Sequence, residues 1–276
     1  MLVKNSLPSH YCEISHTNII TEHLKNELDD SYYLFFIHPD LDLDINLMEE
    51  FLLKLKEVKA KNIKKIAIHV GNEEYYNDKL YENFDMIFRN YHYNKSDNSK
   101  VFNFSLGYNS SGKSIVEFNN SKKISERSID VFFSGQIGHR ESFYHYVTNN
   151  LRGNYHINFN NKFRAGMGID NYVKTLSDTK ICLVPNGLSK ETFRYAEAFA
   201  SGCVVITSEN IDVWYYKNSP AYFVNNWNQV TDEYIQNILQ SNMDIKQTEG
   251  IEYYKNYLSP ESSAKYIISK IKNKFQ

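Results

Sequence analysis

One stretch of the chain, residues 179–207, constrains the fold more than any other. Its sequence, TKICLVPNGLSKETFRYAEAFASGCVVIT, contains two apolar runs, 181–184 and 203–207. Each run has the length and composition of a buried strand. Between them a polar turn leads into a helix that ends at Ser201-Gly202, where glycine favours termination. The strand–helix–strand order predicts a parallel pair of strands joined by a crossover helix.

The helix of this unit carries two charged residues, Arg194 and Glu197, that lie one turn apart and share one face. A helix that begins just beyond a parallel strand is a ready site for phosphate. Arginine suits a diphosphate, and a carboxylate accepts hydrogen bonds from the paired hydroxyls of a ribose. The unit therefore indicates a nucleotide-sugar site. The preceding turn adds five candidate donor-binding residues: Pro185, Asn186, Gly187, Ser189 and Thr192.

Strand and helix patterns alternate from about residue 31 onwards, which predicts an α/β fold with parallel sheets. Further strands are expected at 32–38, 65–70, 84–89, 101–106, 131–134 and 155–159, and helices at 45–60, 141–150 and 170–177. The polar run 119–127 is the predicted linker. We therefore expect two Rossmann-like domains, residues 1–122 and 123–258, that face a cleft. A C-terminal helix, residues 259–276, is appended to them, and the chemistry is expected on the loops after the strands.

Composition narrows the function classes. The formal net charge is −2, so the chain as a whole carries no excess of positive charge that would attract nucleic acid or a membrane surface. The three cysteines have neither CxxC nor zinc-ligand spacing, which is typical of core residues in a reducing compartment. No window approaches the roughly 20 apolar residues that a membrane helix needs. These features predict a cytoplasmic protein with no nucleic-acid partner.

The tail from Pro260 to Gln276 predicts an amphipathic, lysine-rich helix that is capped by Ser259 and has proline at its first position. Two interpretations are open. The helix packs on the body of the protein, or it touches an anionic membrane surface from the cytoplasmic side.

Several separated blocks carry a family resemblance. They are HVGNEEYY (69–76), FDMIFRNYHY (84–93), VFNFSLGYNSSG (101–112), VFFSGQIGHRES (131–142) and the 179–207 unit. In order and spacing these blocks resemble the exostosin-like group of GT-B glycosyltransferases, and they cover most of residues 65–207. Ser105 stands where the family usually has proline.

The resemblance implies that the second domain binds a nucleotide diphosphate sugar and the first domain binds the acceptor. Glu197 would bind the ribose hydroxyls, while Arg140 and Arg194 would neutralise the departing diphosphate without a bound metal or other cofactor. The implied reaction is inverting transfer from a UDP-sugar to a hydroxyl of a surface glycan. Capsule, O-antigen or lipooligosaccharide would be such a glycan, including a lipid-linked one.

Further residues are predicted to bind the phosphates or to act as the catalytic base. Arg140 opens a helix, where its charge opposes the helix dipole and so indicates a nearby anion, and Gly135 would let the backbone approach a phosphate. An inverting transfer needs a base for the acceptor hydroxyl, and the candidates are Glu73, Asp40 and His139. The acidic run Asp40, Asp42 and Asp44 is either a solvated turn with a helix cap or a divalent-metal site.

Three other functions fit the same sequence. A fucosyltransferase-like enzyme would use a GDP-sugar, although the acidic strand end of that family is replaced by Pro185-Asn186-Gly187. A nucleotide-sugar epimerase would place several histidines and carboxylates in the cleft. A non-catalytic glycan- or nucleotide-binding protein would retain the fold alone.

Overall fold

The structure, a computed structural model, describes residues 1–58, 63–71, 73, 78–92, 99–109, 122–153, 155–162, 166–208 and 210–276. The chain divides into two compact units: Met1–Ser110 with Ser259–Gln276, and Ser111–Leu258. Each unit contains one five-stranded sheet in which all pairings are parallel. The predicted α/β class with parallel sheets is therefore confirmed. The domain boundary expected at residue 122 borders residues 110–121, which lie outside the described ranges.

The first unit begins with a short strand and then alternates helices and strands. Its elements are β1 (Leu2–Val3), α1 (Ile14–Glu27), β2 (Tyr32–Ile37), α2 (Asp40–Leu43), α3 (Ile45–Glu57), β3 (Lys64–His69), α4 (Asp78–Tyr81), β4 (Met86–Arg89) and β5 (Val101–Asn103). The strands lie side by side in chain order, β1-β2-β3-β4-β5.

The second unit contains the remaining strands. Its elements are β6 (Ile129–Gln136), α5 (Glu141–Asn150), β7 (His156–Asn160), α6 (Ile169–Ser177), β8 (Thr179–Val184), α7 (Phe193–Ala200), β9 (Val204–Thr207), β10 (Tyr222–Phe223), α8 (Asp232–Leu239) and α9 (Met243–Tyr253). A π-helical turn, Tyr254–Leu258, follows α9, and the last helix, α10 (Pro260–Phe275), belongs to the first unit. The strand order β10-β9-β8-β6-β7 reverses between β6 and β8.

The tail helix α10 packs on the first unit, as one of its two interpretations predicts. Its apolar residues Ala264, Ile267 and Ile271 are fully buried in one cluster with Leu34 of β2 and Ile20 of α1. Alternate residues of β2 face a second cluster beneath α3, because successive side chains of a strand point to opposite faces. The Ser259 side chain accepts a hydrogen bond from the Ser262 amide, so the predicted cap is confirmed. Membrane contact of this helix stays a prediction.

Helix α1 is absent from the sequence-based expectations. Its buried face contains His16, Thr17 and Thr21 beside Ile20 and Leu24. Polar residues on a buried face weaken the apolar periodicity that marks an amphipathic helix.

No helix in the described ranges combines the length and apolar character required to cross a bilayer.

The predicted linker is wrong over its described part, residues 122–127. Ile124 is fully buried, and Arg127 is only 2% exposed. The Arg127 guanidinium donates to the carbonyl oxygens of Thr179 (2.7 Å) and Ser201 (2.8 Å). A charged residue is usually expected at the surface, yet here Arg127 joins the start of β8 to the end of α7.

Candidate functional site

The site begins at the point where the strand order of the second unit reverses. Strands β6 and β8 are paired neighbours, but the chain leaves β6 towards β7 on one side and β8 towards β9 on the other. The loops after β6 and β8 therefore diverge and leave a crevice at the carboxyl ends of the strands, where open α/β sheets bind ligands. The predicted donor-binding residues Arg140 and Pro185 follow these two strands.

A cavity of about 380 Å³ lies at these strand ends, and its size falls in the range of small-molecule sites. Four of its lining residues are ones that the sequence singled out: His139, Arg140, Pro185 and Asn186. The remaining lining residues were not predicted: Ser142, Phe143, Ser208, Asn225 and Trp227. Loops after four strands (β6, β8, β9 and β10) thus contribute to one cavity.

Arg140 joins the two loops that flank the switch point. Its Nε donates to the Pro185 carbonyl at 3.5 Å, and its Nη1 donates to the Gln136 carbonyl at 3.3 Å. A Cβ atom at Gly187 would lie 2.9 Å from Nη2 of this arginine, so only glycine leaves the guanidinium its present space. The positive charge is thereby fixed beside the cavity at the start of α5.

Arg194 reaches the end of β6 from the neighbouring helix α7. Its Nη2 donates to the Ser134 carbonyl, and its guanidinium lies 4.8 Å from the Phe133 ring centroid. A Cβ atom at Gly135 would lie 2.7 Å from Nη2, so this glycine permits a close approach of the arginine. Arg194 therefore belongs to the β6 strand end without lining the cavity.

Glu197 does not face solvent. It is 6% exposed, and its Oε2 accepts a 2.8 Å hydrogen bond from the Tyr172 hydroxyl of α6. Burial first, and then the charge of Glu197, raise the pKa of Tyr172 well above its usual value. The phenol thus stays protonated and fixes one carboxylate oxygen.

The remaining turn residues shape the loop after β8. The Gly187 amide donates to the Ser189 carbonyl at 2.9 Å, and the Ser189 hydroxyl accepts from the Glu191 amide at 3.2 Å. Thr192 is the N-cap residue of α7, and its buried hydroxyl has no hydrogen-bond partner within the described residues. Glu191, which the sequence did not single out, is buried and accepts a 2.7 Å bond from Tyr215.

The three candidate bases are separated by the division into units. His139 is exposed and lines the cavity of the second unit. Glu73 and Asp40 belong to the first unit, where they follow β3 and β2. Glu73 is partly exposed, and its neighbours 72 and 74–77 lie outside the described residues.

The acidic run after β2 has two roles. Asp44 caps α3, because its Oδ1 accepts from the amides of Asn46 (2.9 Å) and Leu47 (3.3 Å), so the helix-cap interpretation is confirmed for this residue. Asp40 accepts a 2.9 Å bond from the Tyr11 hydroxyl. Across the described ranges, no three His, Cys, Asp or Glu side chains group as metal ligands.

The lining residues that were not predicted from the sequence differ in the strength of their sequence signals. Ser208 directly follows a correctly predicted strand, and its hydroxyl accepts a 3.4 Å bond from the Asn186 amide. The position after the strand was a sufficient signal for it. Asn225 and Trp227 follow β10, a two-residue strand of partly exposed residues that leaves no pattern.

No protein-family model matches the sequence, and no curated protein matches it. Among solved structures, the chain is similar to a glycosyltransferase from Rickettsia africae ESF-5, with 13% identity, a TM-score of 0.47, and coverage of 98% of this chain and 83% of that one. It is also similar to TarM, with 13% identity, a TM-score of 0.42, and coverage of 95% of this chain and 58% of that one.

Proposed function

We propose that the protein is a GT-B-type glycosyltransferase whose second unit binds the nucleotide diphosphate sugar. One observation carries the proposal. The cavity lies at the topological switch point of a doubly wound sheet, and a fixed arginine borders it. Switch points of this kind bind nucleotides, and arginine presents a planar set of donors to phosphate oxygens.

The diphosphate would lie beside Arg140 and the N-terminal end of α5, where a positive side chain and the helix dipole favour an anion. Arg194 supplies a second positive charge at the end of β6. The buried Glu197 carboxylate would accept hydrogen bonds from ribose hydroxyls, with its orientation fixed by the hydrogen bond from Tyr172.

The nucleobase would lie towards Trp227 and Asn225. An indole offers a flat apolar face for stacking, and a side-chain amide donates and accepts hydrogen bonds to a base edge. Both residues line the same cavity as Arg140. The cavity lining thus includes both a positive side chain suited to an anion and an aromatic side chain suited to a base.

The proposed reaction is an inverting, metal-independent transfer. The acceptor oxygen forms a bond to the anomeric carbon while the bond from that carbon to the diphosphate breaks, and the nucleotide diphosphate leaves with the electron pair. The acceptor proton passes to a base, for which Glu73, Asp40 and His139 are the candidates. Arginine charges would stabilise the leaving group in place of a metal ion. Exostosin-like membership, a UDP-sugar donor and a surface-glycan acceptor, including a lipid-linked one, belong to this proposal.

The donor assignment is tested by thermal unfolding with UDP-sugars and GDP-sugars, since a ligand that binds the folded state raises the unfolding temperature. We expect stabilisation by UDP-sugars and, in Arg140→Ala, a loss of affinity of about tenfold or more. Arg152→Ala is the matched control, because Arg152 is an exposed arginine just beyond the end of α5.

Each contrary outcome identifies another function. Stabilisation by GDP-sugars alone would indicate a fucosyltransferase-like enzyme. Conversion of the nucleotide sugar without any acceptor would indicate an epimerase. No response to either nucleotide class would overturn the donor site and leave a non-catalytic protein.

A further inference from the structure

A group of polar and aromatic side chains lies at the carboxyl end of β2 in the first unit, remote in sequence from the donor cavity. Tyr11 and Asp40 are joined twice: the Tyr11 hydroxyl donates to Oδ1 of Asp40 at 2.9 Å, and the Asp40 amide donates to the same hydroxyl at 3.2 Å. His10 Nε2 lies 3.2 Å from Oδ2 of Asp40, and His38 Nδ1 lies 3.9 Å from it. We refer to His10, Tyr11, His38 and Asp40 as the Asp40 cluster.

The rings of the Asp40 cluster are held in place by packing. The Tyr11 centroid lies 4.6 Å from that of His10 and 5.5 Å from that of His38. Gly71, which follows β3, has a φ of +77°, and a Cβ atom there would lie 2.8 Å from Cε1 of Tyr11. A glycine is therefore required both by the backbone and by the close approach of the tyrosine ring.

The cluster combines buried and accessible groups. Asp40 and His10 side chains are 27% and 65% exposed. His38 is buried, and its Nδ1 has no hydrogen-bond partner within the described residues. A carboxylate accepts about four hydrogen bonds. Within the described residues, Oδ1 of Asp40 accepts the Tyr11 hydrogen bond and Oδ2 lies beside His10, so accepting capacity remains on the accessible side.

The chemistry of the Asp40 cluster discriminates among ligand classes. A carboxylate at its centre disfavours an anion. A metal site is not supported, because the described residues contain no group of three suitable ligands. A neutral sugar satisfies both parts of the cluster: its hydroxyls donate to the carboxylate, and the apolar face of its ring packs on flat aromatic side chains.

We propose that the Asp40 cluster is a binding site for a neutral pyranose of the acceptor glycan. Asp40 accepts a hydrogen bond from a sugar hydroxyl, and His10 and Tyr11 present the surface on which the ring lies. This inference rests on the proposed glycosyl transfer, because it identifies which part of the first unit holds the acceptor. It also favours Asp40 over Glu73 as the carboxylate nearest to an acceptor hydroxyl.

The test uses the full chain with its histidines labelled with ¹⁵N and a panel of methyl pyranosides and disaccharides as probes. We expect at least one saccharide to shift the imidazole signals of His10 and His38, which are assigned from His10→Ala and His38→Gln. Asp40→Asn should weaken the binding of that saccharide by about tenfold or more. Asp42→Asn, which changes an exposed carboxylate of the same short helix, should retain the wild-type affinity.

Two results would overturn the proposal: no saccharide shifts these signals, or binding persists unchanged in Asp40→Asn. Should Asp40→Asn fail to fold, His10→Ala decides, because His10 is exposed and its removal leaves the core intact. UDP-sugar binding is measured in the same samples through the unfolding temperature. Loss of the saccharide response alone rejects the acceptor site, and loss of both responses rejects the proposed function as well.

Discussion

The Tyr172 hydroxyl donates a 2.8 Å hydrogen bond to Oε2 of Glu197, and this bond joins α6 to α7. Glu197 is a buried carboxylate on a helix that otherwise buries alanine and aromatic residues. A buried charge is costly unless polar groups solvate it. The phenol provides such a group, and it fixes the orientation of the carboxylate that we assign to ribose binding.

Tyr172→Phe should show how much this hydrogen bond contributes to the stability of the folded protein. Removing a donor from a buried, charged acceptor costs about 1–3 kcal/mol, so we expect the free energy of unfolding to fall by that amount in urea titrations. Tyr146→Phe is the matched control, because the partly buried Tyr146 donates a 3.1 Å bond to the Asn228 carbonyl that is exposed to solvent. An equal decrease in the free energy of unfolding in the two variants would show that the hydrogen bond to Glu197 stabilises the protein no more than an exposed one.

Gly135→Ala should disturb Arg194 without unfolding the second unit. The new Cβ atom would lie 2.7 Å from Nη2 of Arg194 and 3.0 Å from Cζ of Phe133, so side-chain ends rather than the backbone have to move. We expect UDP-sugar affinity to fall about tenfold at a nearly unchanged unfolding temperature. Gly168→Ala is the control, because a Cβ atom there meets nothing within 4 Å. Unchanged affinity in Gly135→Ala would argue against a role for Arg194.

Trp227 should report on the donor cavity by fluorescence. The chain has two tryptophans, Trp214 and Trp227, and of these Trp227 lines the cavity. We expect a UDP-sugar to quench the emission of the wild-type protein and of Trp214→Phe, and to leave the emission of Trp227→Phe unchanged. Quenching that survives in Trp227→Phe would locate the nucleotide elsewhere.

The extent to which this site was predictable follows from where its residues lie. Pro185 and Asn186 directly follow β8, and Arg140 ends the short turn Gly138–Arg140 after β6. The apolar runs of both strands are visible in the sequence, and parallel strands bring such loops to one edge. Trp227 was not predictable, since the strand before it has two residues. Arg127 was misassigned because its acceptors are carbonyl groups 52 and 74 residues away.

The Asp40 cluster shows a similar limit. Asp40 itself was a candidate base because it follows an apolar strand. Its partners His10 and Tyr11 lie about 30 residues earlier, in a segment that has neither strand nor helix pattern. Residues at strand ends are thus visible from local patterns, whereas residues that pack against those ends from distant segments become visible only in three dimensions.

The buried His16 should make the folded protein less stable in mild acid. It is 1% exposed, both ring nitrogens lack hydrogen-bond partners among the described residues, and burial lowers its pKa to about 3. Its unfolded-state pKa is about 6.5, so the unfolded chain binds a proton there that the folded protein does not. The stability contribution is therefore complete above pH 6.5 and falls by about 1.4 kcal/mol per pH unit as the pH decreases towards 3.

Replacement of this histidine should flatten the acid response. His16→Phe keeps a ring against Tyr108, whose centroid lies 5.8 Å away, but has no group to protonate. Between pH 6 and pH 4.5 we expect its free energy of unfolding to decrease by roughly 2 kcal/mol less than that of the wild type. His23→Phe, a change at an exposed position of the same helix, is the control and should follow the wild-type profile. Because the buried histidines His38 and His69 also have lowered pKa values, some acid sensitivity should remain in His16→Phe. Identical pH profiles for His16→Phe and the wild type would mean that His16 is not the buried, neutral group that its surroundings indicate.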